Sequence, residues 1–226
     1  MRSRRTFLTL GASTILAGTA GCSDRIPFIG DEPMEFSAQP AAVPQAVVDE
    51  TGYEAQDLED VVMEETVEAG GQSQLVVVTN WQAEYDKPID VGGFGAVTNG
   101  QLRAGVFSVL TTPQVNVLGR SFNPIADMDS DELAEQVQDR YDGVDQLERV
   151  GDDTITIVGE STTVAEFEGE ADLVGEGVTV NLTLHIAEAV PAGEDFIVGF
   201  GAYPTELRDE EQQHVMTLLE SIEHGE

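Results

Sequence analysis

The side chains able to do chemistry are few and far apart. Three histidines stand at 185, 214 and 224, and no two share the short spacing by which imidazoles converge on a transition metal. His185 falls two residues after Thr183 and six after Thr179 in an alternating run, which reads as a solvated or hydrogen-bonded strand residue. His214 lies inside an amphipathic stretch, and His224 belongs to a C-terminus expected to fray. No G-x-S-x-G elbow offers an activated serine. With 43 Asp and Glu in the chain, any pair of carboxylates is uninformative about acid–base catalysis. These residues name no catalytic group, no cofactor-binding group and no metal ligand, so the expectation is a protein that is not an enzyme and carries no cofactor.

Three further stretches imitate functional sites. Gly92-Gly93-Phe94-Gly95 is glycine-rich like a phosphate cradle, but no G-x-G-x-x-G spacing and no Gly-Lys-Ser/Thr follows. A loop or a second hairpin, continued by Asn99-Gly100, is expected there instead. Asp127-Met128-Asp129-Ser130-Asp131 opens like a calcium loop, yet Glu132 and Gln138 stand where an EF-hand needs glycine and glutamate. A helix start explains it better: Asp129 caps, Glu132 answers as the capping-box partner, and Leu133, Val137 and Tyr141 recur at helical spacing until Gly143. Asn181-Leu182-Thr183 is an N-glycosylation triplet, which makes Asn181 a candidate modification site, although a strand interior is a poor acceptor.

The start of the chain carries the most definite chemistry. Arg4-Arg5 followed by Thr6-Phe7-Leu8 and a mild apolar run to Leu16 resembles a twin-arginine export signal, with Arg4 and Arg5 as the recognised pair. The run is too short and too diluted by Gly11, Ser13 and Thr14 to span a bilayer, which takes about 20 apolar residues. Ala20-Gly21-Cys22 resembles a lipobox, in which the cysteine sulfur receives a diacylglyceryl-type lipid and becomes the mature N-terminus; Thr19 stands where an aliphatic residue is commoner. Residues 1–21 are therefore expected to be a signal peptide, 22–33 a lipidated tether and 34–226 one domain. Cys22 is the only cysteine, so that domain must be stable without a disulfide.

Charge points to habitat and limits the partners. The formal net charge is −33, from 43 acidic and 10 basic residues. Loss of Arg2, Arg4 and Arg5 with the signal makes it more negative still, and Lys87 is the sole lysine. At ~1 M salt the Debye length falls to about 3 Å and such self-repulsion is silenced, so the composition fits a salt-in haloarchaeon. Without a basic patch, nucleic acid is excluded as a partner. A disordered acidic chain is disfavoured by 41% hydrophobic residues arranged in long strand-like runs.

Those runs predict the elements. Met34 to Phe36 opens a strand, Pro44 to Thr51 is a short helix stopped by Gly52, and Tyr53 packs behind it. Glu59 to Ala69 and Leu75 to Tyr85 alternate about Gly70-Gly71 as a hairpin. Leu102 to Leu110 is a strand ended by Pro113, with a short apolar piece at Val115 to Leu118. Thr154 to Val158 and Thr163 to Gly169 form a hairpin turning at Gly159 to Ser161. Val178 to Ile186 alternates without a break, which predicts one buried face and one wet face bearing His185. Asp195 to Tyr203 is the last strand, and Asp209 to Glu223 an amphipathic helix with Val215, Leu218, Leu219 and Ile222 inward and its acids outward.

The export signal, Cys22, and the phrases Asn80-Trp81-Gln82-Ala83-Glu84-Tyr85, Ser121-Phe122-Asn123-Pro124 and Ala202-Tyr203-Pro204 resemble a family of haloarchaeal lipoproteins of unknown function. That resemblance implies an address and a habitat, with no activity attached. The element order is also similar to the PsbP-like α/β/α sandwich. The fold expected is α+β: a mostly antiparallel sheet with helices packed on it and a closing C-terminal helix. The role expected is a binding or accessory module, held at the extracytoplasmic face of the cell membrane by lipid on Cys22, with a membrane-protein partner. Such a partner would meet an uncharged patch around Trp81, Tyr85 and Phe122. A solute- or lipid-binding protein would instead hold a closed apolar cavity, and a hydrolase would place His185 in a cleft.

Overall fold

The computed structural model describes residues 33–69, 72–89, 102–117, 120–121, 125, 128–140, 143–173 and 178–225. Arg4, Arg5, Cys22 and nearly all of the tether, with Gly70-Gly71, Gly92 to Gly95, Phe122 and Asp127, lie outside these residues. In chain order the elements are β1 (Met34–Ser37), β2 (Ala41–Ala42), α1 (Gln45–Thr51), β3 (Glu54–Ala69), β4 (Gln72–Ile89), β5 (Leu102–Pro113), β6 (Asn116–Val117) and β7 (Arg120–Ser121). They continue with α2 (Ser130–Arg140), β8 (Val144–Ile157), β9 (Glu160–Leu173), β10 (Val178–Ala187), β11 (Val190–Ala192), β12 (Asp195–Pro204), α3 (Arg208–Glu220) and β13 (Glu223–His224).

One mixed sheet dominates the fold. At one edge β3 pairs only with β4 among the described residues, antiparallel from Glu54↔Asp86 to Ala69↔Gln72. The other edge of β4 is shared end to end by β1, parallel against Val76 to Thr79, and β5, antiparallel against Trp81 to Ile89. Beyond β5 come β12, β10, β9 and β8, all antiparallel, with β11 continuing the β10 edge of β12. With three helices beside it, the fold class is α+β.

Strand alternation places a different layer on each face. On one face Phe107, Val109, Ile197 and Tyr203 join Val48 of α1 and Val215, Leu218 and Leu219 of α3 in a single hydrophobic cluster. On the other, Ala165, Phe167, Leu184 and Ile186 join Leu133 and Ala134 of α2. A smaller cluster of Val67, Val76 and Val115 with Met34 and Phe36 underlies the far end of the β3–β4 hairpin. The burial of β4 consequently switches parity along its length, from Gln74, Val76 and Asn80 to Ala83 and Tyr85. An 18-residue strand is long enough to serve two clusters on opposite faces.

Local signals fix the ends of several elements. Gly52 closes α1 at φ 75°, its N–H returning to the Val48 carbonyl. Asp129 caps α2: its Oδ1 accepts from the N–H groups of Asp131 (3.1 Å) and Glu132 (3.0 Å), while Glu132 accepts from the Asp129 N–H (3.2 Å). The calcium-like stretch is therefore a capping box.

The structure differs from the sequence expectation in several places. The β8–β9 hairpin turns at Val158-Gly159, whose φ values of 45° and 88° are the pair a type I′ turn demands; Glu160 and Ser161 already belong to β9. Both faces of the C-terminal half of β10 are buried, because α3 covers the side where Thr183 and His185 were expected wet. Glu211 of α3 points inward, not outward. Tyr85 is a core residue whose hydroxyl accepts from the Val43 N–H at 2.8 Å, so it forms no part of a surface patch. Finally, the C-terminus does not fray at His224: β13 pairs with β2, and His224 Nε2 meets Asp195 Oδ2 at 2.8 Å.

Candidate functional site

Charged groups gather where α1, the end of β4 and α3 meet. The first turn of α3 carries Asp209, Glu210 and Glu211, where the helix dipole favours acids. Glu211 turns inward and is almost fully buried. Lys87 Nζ lies 2.6 Å from Glu211 Oε1, 3.1 Å from His214 Nδ1 and 5.6 Å from the centre of the Tyr53 ring. Tyr53 completes the group by donating to Glu211 Oε2 at 3.3 Å. Burial, then the Glu211 charge, push the Tyr53 phenol far above its ordinary range, so it keeps the proton it donates to Glu211. Glu210, Glu211 and His214 lie close enough to share a cation. Glu211 and His214 already hold one cation, the ammonium of Lys87.

The sequence-level reading missed this assembly, although Glu211 and His214 at i and i+3 on one helix were visible in it. Its missing member was Lys87, 124 residues away from Glu211. The other described basic side chains are likewise committed to acids. Arg208, opening α3, pairs with Glu166 and with Glu168 (2.6 Å) on β9. Arg149 bridges Asp131 of α2 (3.0 Å) and Asp152.

His185 sits in the core. Its Nε2 shares a 2.7 Å hydrogen bond with the Tyr203 hydroxyl, and Nδ1 has no partner among the described residues. Burial lowers its pKa to about 4, only partly offset by Asp153, so the ring is neutral near pH 7. Burial also raises the Tyr203 phenol, with Glu211 and Glu168 adding to the effect. The three histidines thus serve three separate contacts: Tyr203, the Lys87 assembly and Asp195.

Asn181 is exposed on β10, opposite Glu170. The rest of its triplet is not: Leu182 is buried, and the Thr183 hydroxyl is buried against Thr205 at 3.0 Å. A glycan on Asn181 would require the triplet to be read before β10 is in place.

The surface offers a different feature. Of the five large hydrophobic residues exposed among the described residues, four lie on the β3–β4 hairpin: Leu58 (45%), Val62 (51%), Met63 (59%) and Leu75 (37%). The pairings Leu58↔Ala83, Val62↔Thr79 and Thr66↔Leu75 put Leu58, Val62 and Leu75 on one face with half-buried Val77 and Trp81. Met63 points to the opposite face. Trp81 is fixed on the face of Leu58 and Val62 by its indole N–H, which donates to the Ala38 carbonyl at 3.0 Å. Of the residues expected to form an uncharged patch, Trp81 is therefore at this surface, Tyr85 in the core, and Phe122 outside the described residues.

No helix among the described residues is long and apolar enough to cross a membrane. No curated protein matches the chain in sequence. Among solved structures, the solution structure of cyanobacterial PsbP (CyanoP) from Synechocystis sp. PCC 6803 is similar at 13% identity and a TM-score of 0.34, covering 89% of this chain and 98% of that one. A family model described as a domain of unknown function, DUF6517, matches residues 40–223. Spanning most of the chain from β2 to β13, that match makes this protein a member of the DUF6517 family.

Proposed function

We propose that this chain is an exported, lipid-anchored binding module that works as a non-catalytic accessory of a membrane assembly in a halophile. The observation that carries the reading is the division of its side chains. The groups suited to chemistry are buried or half-buried in internal contacts, His185 with Tyr203 and Lys87 and Tyr53 with Glu211, while the exposed apolar surface among the described residues is concentrated on one hairpin. Exposed apolar residues gathered on one element are the usual mark of a contact surface.

The start of the chain supports the address: Arg4 and Arg5 as the export pair, and Cys22 as the lipid site at the extracytoplasmic face of the cell membrane. Two acyl chains suffice for stable anchoring where one does not, so a diacylglyceryl-type group fits a permanent tether. The hydrophobic clusters that join α1 and α3 to one set of strand residues and α2 to another support an α/β/α layering.

The test is affinity capture of the tagged protein from crosslinked membranes kept throughout in multimolar salt. A single stoichiometric membrane protein is the expected product. A bound solute or lipid with no protein partner would transfer the chain to the solute-binding class.

A further inference from the structure

Resting on the binding-module reading, we propose that the free edge of β3 is a docking strand for an extended basic segment of a partner protein. That segment has an aliphatic triplet flanked on each side by a pair of Lys or Arg. β3 is 16 residues long, carries seven acidic and no basic residues, and pairs along one side only among the described residues. Its centre reads Glu59-Asp60, then Val61-Val62-Met63, then Glu64-Glu65: three aliphatic residues between two acid pairs. Because successive side chains alternate, each face of the strand presents the same motif, Asp60-Val62-Glu64 on one and Glu59 and Glu65 around Val61 and Met63 on the other. An incoming strand paired in register would therefore meet acid, apolar and acid on both of its faces.

Acids on an edge strand ordinarily serve to keep other strands away. Repulsion alone does not account for the middle of this one, where Val62 and Met63 are more than half exposed. An edge built only to repel would carry its charges there. A second copy of this chain is the wrong occupant on charge. Antiparallel self-pairing centred on Val62 sets Asp60 against Glu64 and Glu59 against Glu65, each twice, and like charges directly opposite are unfavourable. Lys or Arg at those four places converts every opposition into an attraction made at contact distance, within the Debye length of about 3 Å that remains at ~1 M salt. Addition of a strand to a free sheet edge draws its affinity from main-chain hydrogen bonds, with side chains setting the choice of partner.

The experiment uses the full-length protein and a labelled synthetic peptide, Thr-Lys-Lys-Ile-Val-Ile-Lys-Lys-Thr, beside a scrambled peptide and a glutamate-flanked one. The expected result is binding at least about tenfold tighter than the scramble, with slowed hydrogen exchange at backbone amides between Glu59 and Glu65. The exposed double variant Asp60→Lys/Glu64→Lys should reverse the preference toward the glutamate-flanked peptide. Equal binding of the scramble, or binding without amide protection, would reduce the contact to general charge attraction and overturn the docking strand. A dimer in sedimentation that Val62→Lys abolishes would name a second copy as the occupant instead. If a membrane partner is captured and the double variant still captures it, the edge assignment falls while the accessory reading stands; if no partner is captured by either form, the accessory reading itself fails.

Discussion

Lys87 shows how much a single residue can matter in a chain this acidic. It is the only lysine, and it neutralises a carboxylate that the fold takes almost fully out of water. Removing one member of such a pair leaves a buried charge unanswered, so Lys87→Met should cost about 3 kcal/mol in chemical denaturation. The double variant Lys87→Met/Glu211→Gln should recover most of it, since a neutral amide still accepts from Tyr53; a double variant as weak as the single one would contradict this account. His185 gives a pH signature. In the unfolded chain its ring takes a proton near pH 6.5, while in the fold burial delays this to about pH 4. Between those values the unfolded chain binds more protons, so stability falls as pH drops from 6.5 toward 4 and the loss is complete below that. A ring NMR titration should find His185 still neutral at pH 5.5; protonation there would refute the assignment. Asp129 with Glu132 was legible because a capping box is local, whereas the Lys87–Glu211 pair spans the whole domain and leaves no local trace.

The contact of α3 with the sheet depends on what β12 lacks. Gly199 and Gly201 face the helix, and a Cβ on Gly201 would come within 2.7 Å of Val215 Cγ1 and 3.3 Å of Phe107. Valine is stiff at χ1 and cannot turn aside cheaply. Gly201→Ala should therefore destabilise the fold by about 1–3 kcal/mol, read as a lowered denaturant midpoint; an unchanged midpoint would mean the helix rides further from the sheet. Sequence alternation revealed β10 and the β3–β4 hairpin because period two survives burial on either face. It misjudged the polar face of β10, since Thr183 and His185 look the same whether they meet water or α3. The length of β8 was hidden for a related reason: the acids and bulges of Val144 to Asp153 break the alternation by which strands are recognised.

At the scale of the whole molecule, charge sets the conditions under which the fold can exist. With a net charge of −33, the compact state is opposed by its own field until salt shortens the Debye length to about 3 Å near 1 M. The denaturation midpoint should rise steeply between ~0.1 and ~2 M KCl, and a midpoint indifferent to salt would remove the halophilic reading. Fold class was legible from periodicity, and the acidic character from composition. The exposed apolar surface was only partly so: Trp81 was singled out, but Leu58, Val62 and Met63 look like core residues until β3 is known to be an edge. The measurement that bears most directly on the account is photocrosslinking in intact cells from a reactive residue placed at Val62, compared with one at exposed Glu210 on α3. The account predicts one dominant protein adduct from Val62 and none from Glu210. Adducts of equal yield from both positions, or only lipid adducts from Val62, would contradict it.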